Sequence, residues 1–156
     1  MWGHPKTADR LSLLADQLRL AHTVTPDLVS HVIDGACVRL PALGRTEKAA
    51  RLNRLIEAGA WTEVALALIE LELPQWQLRR LVHDDGEWLC SLSKQPNLPA
   101  EFDDTVDAGH EILPLAMLSA FVEARRQAVA TRQVSVAAAP QVKFTTGHVV
   151  CCDNFG

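Results

Sequence analysis

Apolar residues recur at helical spacing through the first part of the chain. Leu11, Leu14, Ala15 and Leu18 fall at i, i+3, i+4 and i+7, with Asp9, Arg10, Asp16 and Arg19 off the stripe, which predicts a helix over residues 7–21. Thr25-Pro26-Asp27 then reads as an N-cap, a proline at the first helical position and an acid in the first turn. The short helix that follows offers Leu28, Val29, Val32 and Ile33 for burial and is expected to stop at Asp34-Gly35. Residues 37–40 fit a short strand or an extended connection, and residues 41–45 a loop. Thr46 caps a third helix whose Ala49, Leu52, Leu55 and Ile56 face inward, and Gly59 is placed for the left-handed position after it. Thr62 is expected to cap a fourth helix over residues 63–71. It is apolar nearly all round, which predicts the most buried helix of the molecule, and Pro74 prevents its continuation.

The period then changes. Residues 76–83 and 87–93 read as two strands around Asp84-Asp85-Gly86. A two-residue Asp85-Gly86 loop would pair Val82 with Leu89 and mix apolar with polar residues on both faces. A three-residue loop pairs Val82 with Trp88 and Leu78 with Leu92, and gathers Trp76, Leu78, Val82, Trp88, Cys90 and Leu92 on one face, interrupted only by Arg80. The expected register is therefore the three-residue one, with Gly86 in a left-handed bulge position. Residues 96–107 read as a connection rich in proline and acid. A last helix is expected over about residues 110–128, with Pro114 in its first turn and Arg125-Arg126 at its end, where they suit the helix dipole. From residue 130 the pattern dissolves, and residues 130–156 are expected to be a mostly disordered tail.

These elements predict a predominantly helical α+β fold. N-terminal helices and an antiparallel β-hairpin pack under a C-terminal helix, in a single globular domain over residues 1–129. Its helical part is 1–58 and its helix-hairpin-helix part 60–129. At 156 residues the chain is long enough to bury a core without disulfides or a structural metal.

Charge narrows the choice of partners. Residues 61–111 carry a net charge of -8 within a chain of net -4. That acidic zone repels phosphate, which argues against nucleic acid and anionic membrane as partners. The absence of an apolar leader and of a long apolar run predicts a soluble chain that does not enter a membrane. Cys37 and Cys90 sit among apolar neighbours, so a reducing, cytoplasmic setting is expected. The dominance of Ala and Leu and of Arg over Lys suggests a bacterial origin.

The stretch Trp76-Gln77-Leu78, Asp85-Gly86-Glu87-Trp88-Leu89-Cys90-Ser91-Leu92, Asp107 and Leu113-Pro114-Leu115-Ala116-Met117-Leu118-Ser119-Ala120-Phe121 resembles small uncharacterised bacterial and prophage proteins of the phage ABA-sandwich type. The resemblance covers about residues 60–128. It implies a small antiparallel sheet between helices and carries no catalytic residues with it.

The best chemical candidates are Asp103, Asp104, Asp107 and His110, four ligand-type side chains in one short segment that could share a divalent metal and make this a metal-dependent hydrolase. The bland alternative is an acidic lead-in to a helix, with Asp107 as its cap. His83-Asp84-Asp85-Gly86-Glu87 is better explained as a turn. His148, Cys151 and Cys152 lack the spacing of a zinc site. A winged-helix reading requires the helix before the hairpin to enter DNA. That helix carries Glu63, Glu70 and Glu72 and no Lys or Arg, while Arg45, Lys48, Arg51 and Arg54 lie one helix earlier. No phosphate loop, nucleophile elbow or zinc-protease motif is present. The expectation is a non-enzymatic protein-interaction or regulatory module without a cofactor, binding a protein partner or itself.

Overall fold

A computed structural model describes residues 6–99 and 103–145, and their side chains as far as residue 132. The order of elements is α1 (Thr7–Leu20), α2 (Pro26–Ala36), α3 (Leu40–Leu43), α4 (Glu47–Ala58), α5 (Trp61–Glu72), β1 (Gln77–Asp84), β2 (Glu87–Ser93), β3 (Thr105–His110) and α6 (Leu113–Thr145). The fold is α+β, and a three-stranded antiparallel sheet in the order β1-β2-β3 packs on the C-terminal helix.

Local chemistry sets three of the helix ends. Thr25 Oγ1 accepts from the Leu28 N–H at 3.1 Å and Thr46 Oγ1 from the Ala49 N–H at 3.3 Å, so both caps form as the sequence predicts. Gly59 takes the left-handed conformation, φ 69° and ψ 23°, and closes α4. Gly35 does not stop α2. It lies inside the helix, where a Cβ would come within 2.7 Å of Leu14 Cδ1, so its role is to let α2 approach α1. The segment expected as loop after residue 40 forms the single turn α3. Thr62 is not the cap of α5, which begins two residues earlier than expected, at Trp61, with Ala60 in the cap position.

Helix α5 buries six of its twelve residues, and the first half of α6 is closed more densely still. Leu115, Ala116, Met117, Leu118, Ala120, Phe121, Val122 and Ala124 are all closed to solvent, whereas Leu66 on α5 is exposed. The reason is position. One side of α6 meets β2 and β3, and its other sides meet α1, α5 and α2. The helix continues to Thr145, past the end near residue 128 that the pattern predicts, and Pro140 lies within it. The rest of the expected tail, with His148, Cys151 and Cys152, lies outside the described residues.

The hairpin register is the two-residue one, which corrects the expectation. Asp84 faces Glu87, His83 faces Trp88, Val82 faces Leu89 and Leu81 faces Cys90. Asp85 and Gly86 both have positive φ, 53° and 82°, the signature of a type I′ turn, whose twist matches that of the strands. The one-residue slip that the apolar pattern demands is still made, but at a bulge between Leu78 and Arg80, so Leu78 faces Leu92 as predicted. Between bulge and turn the faces exchange. Leu81, not Val82, points inward with Cys90, and Val82 joins Leu89 on the outer face.

The segment expected as an acidic connection contains β3. Its residues Thr105 to His110 pair with Ser93 to Trp88. Val106, Ala108 and His110 turn toward α6, while Asp107 is exposed on the other face. Among the described residues no helix covers that outer face of the sheet.

Candidate functional site

The four acid and imidazole candidates do not converge. Strand geometry sends Asp107 and His110 to opposite faces of β3. Asp107 accepts a hydrogen bond from Ser91 Oγ on the outer face. His110 is buried and fully engaged. Its Nδ1 accepts from the Ile112 N–H at 2.9 Å, which leaves the proton on Nε2, 3.0 Å from the Ala21 carbonyl. It therefore joins the end of α1 to the start of α6.

Asp103 has a different task. Its carboxylate accepts from Arg79 Nη1 at 2.7 Å, from the Gln95 N–H at 2.8 Å and from Ser93 Oγ. Desolvation, the largest influence on this carboxyl, pushes its pKa up. The bonds from Ser93, Gln95 and Arg79 and the Arg79 charge together outweigh it and hold the group below the usual carboxylate value. The effect is to pin the β1 bulge to the segment before β3. Asp104 reaches Lys94 at 3.7 Å on the surface. Among the described residues no three His, Cys, Asp or Glu side chains are grouped to hold a metal.

A polar network that the sequence pattern does not reveal lies at the α2–α3 junction. Glu72, at the end of α5, is 3% exposed and its carboxylate is held by the backbone N–H groups of Val38 (2.8 Å), Arg39 (3.0 and 2.9 Å) and Leu40 (2.6 Å). Arg125 of α6 donates from Nε to the Ala36 carbonyl at 2.8 Å. Burial, with the Glu72 charge second, pushes the Cys37 thiol up to about 12, and burial followed by Asp107 pushes Cys90 up to about 11. Neither thiol is an activated nucleophile. The network is a lock between α2, α3, α5 and α6.

The concavities do not gather reactive groups. A surface hollow of about 470 Å³ between α1, β3 and α6 is lined by Ser12, Val106, Asp107, Glu123 and Arg126 among others, and Glu123 is already paired with Arg126 at 2.6 Å. No described helix is long and apolar enough to cross a membrane.

What remains open is the edge and outer face next to β1. This strand ends the sheet, and among the described residues no strand pairs along its far side. In a two-residue hairpin the residues flanking the turn form a hydrogen-bonded pair, and such pairs alternate along the ladder. Asp84 and Val82 therefore spend their backbone groups on β2, and Leu81 and His83 direct theirs outward. On the outer face Arg80, Val82 and Asp84 follow one another. Leu89, 37% exposed, stands beside Val82 and leans over Gly109, its Cδ2 3.1 Å from where a glycine Cβ would be. Asp84 and Glu87 are directly opposed acids, and Arg80 lies four residues from Asp84, beyond Val82 on the same face. None of the three has an ion-pair partner among the described residues. The edge was visible in the hairpin signal, but its charge order became legible only with the register. No family model, no curated protein and no solved structure matches this chain.

Proposed function

We propose that the chain is a non-enzymatic protein-interaction module that takes up a partner strand along the free edge of β1. The observation that carries this reading is the row of backbone groups at Leu81 and His83 that no described element satisfies, on a strand held rigidly by β2 and by the Asp103–Arg79 bond. An unpaired edge of this kind is a template for strand addition, in which main-chain bonds supply affinity and alternate side chains supply choice. The bulge at Leu78/Arg80 limits the template to the segment between Arg80 and the turn. Such a length suits recognition of one strand rather than unlimited sheet growth.

Selection of extended peptides from a displayed library on the immobilised full chain tests the reading. His83→Pro removes one outward N–H without touching the bonds to β2, and proline is tolerated on a strand edge. The expected result is peptides that bind the parent chain and lose binding to His83→Pro. Binders indifferent to that substitution, or no binders, would overturn the assignment of the edge.

A further inference from the structure

We infer that the strand received by β1 is β1 of a second copy of this chain, antiparallel about a twofold axis through Val82. This rests on the edge reading above and names its partner. Three observations select it.

The first is parity. Only Leu81 and His83 turn their backbone groups outward in this segment, so a two-fold antiparallel partner must place outward residues opposite outward residues. Three registers satisfy this, with Leu81, Val82 or His83 on the axis. The second is charge. With Leu81 on the axis, Arg80 faces Val82 of the other copy. With His83 on the axis, Asp84 faces Val82. With Val82 on the axis, Arg80 of each copy lies opposite Asp84 of the other, and Leu81 exchanges both backbone bonds with His83. Only this register pairs the charges, and it brings a cation beside Asp84, which stands opposite Glu87 at the end of the hairpin. The third is continuity of apolar surface. Leu89 and Val82 form one apolar row on the outer face, because Val82 faces Leu89, and the Glu87 carboxylate bounds it over Gly109. Placing Val82 against Val82 continues that row through the axis into the second copy.

The contact is isologous and closed, and the bulge ends it, so the product is a dimer with one continuous six-stranded sheet. Sedimentation equilibrium of the full chain over micromolar to millimolar concentration tests it. The parent is expected to dimerise. Arg80→Asp and Asp84→Arg should each weaken the dimer about tenfold or more, and the double variant Arg80→Asp/Asp84→Arg should restore it, because the swap rebuilds both pairs. Circular dichroism identifies variants that retain the fold, and Arg80 is exposed, so its substitution removes no core contact. A monomer at all concentrations would overturn the second copy as partner, while the peptide selection still judges the edge. A dimer insensitive to both charge variants but lost with His83→Pro would overturn the register and keep the edge. A dimer insensitive to all three would overturn both.

Discussion

The carboxylate of Glu72 accepts the Leu40 N–H at 2.6 Å across 32 residues of chain. Two neighbouring N–H groups point at the same carboxylate, so one side chain satisfies the start of α3 and seats it on the end of α5. Glu72→Ala leaves these partly buried donors without their acceptor and should destabilise the fold by about 2 kcal/mol, whereas Glu72→Gln keeps one acceptor oxygen and should cost about half as much. Urea denaturation midpoints check the ratio, and equal losses would mean that the charge of the side chain matters more than its shape.

Gly35 is a packing glycine. A methyl group there would meet Leu14 Cδ1 at 2.7 Å. Gly35→Ala should cost about 1–3 kcal/mol through overpacking, even though alanine is the better helix former. In a double-mutant cycle with Leu14→Ala the two penalties should fall short of their sum, since the small residue at position 14 makes room. Strict additivity would place the cost of Gly35→Ala elsewhere.

The turn makes a sharper test of the register. Gly86 has φ 82°, and Asp85 has φ 53°. Gly86→Ala should lower stability by about 1 kcal/mol, and Asp85→Asn should be neutral or stabilising, because Asn-Gly suits a type I′ turn at least as well. Thermal denaturation separates these outcomes. A marked loss with Asp85→Asn would argue for the longer loop.

Asp103 links stability to acid pH. Its folded pKa is held below the ordinary 3.8, so its contribution is fully present above that value and is lost as pH falls through the lowered one. Denaturant midpoints should therefore fall as the pH drops below the ordinary carboxylate value, and Asp103→Asn should flatten that part of the profile. An unchanged slope would show that Asp103 is not the group being titrated.

The buried thiols should be inert in the folded chain. With Cys151 and Cys152 replaced by serine, Cys37 and Cys90, at about 12 and about 11, are expected to resist alkylation at mildly alkaline pH until the protein opens. Labelling followed by mass spectrometry should give a rate that tracks unfolding. Rapid labelling of native protein would show one of the thiols to be accessible.

The features legible in the sequence are those decided within about a turn of chain. Thr25, Thr46 and Gly59 each act on a backbone group a few residues away, so their residue type is enough to place them. The inward face of β2, with Trp88, Cys90 and Leu92, follows from a period of two. His110 looked like a ligand because a sequence shows which groups stand near one another in the chain and not which face of a strand each occupies.

Tertiary structure decided the rest. Both hairpin registers satisfy Leu78 opposite Leu92, and only the site of the one-residue slip distinguishes them. Twist at the type I′ turn and the hold of Asp103 on Arg79 put that slip at the bulge, and so turned Val82 outward. The strand β3 has one strongly apolar residue, Val106, and owes its conformation to the backbone of β2. Glu72 carries no sign of burial in its own helix, because the amides that make burial affordable come from another part of the chain. Period and capping are written in neighbouring residues, but the choice among ladders, and the partner of a buried charge, exist only after distant segments have met.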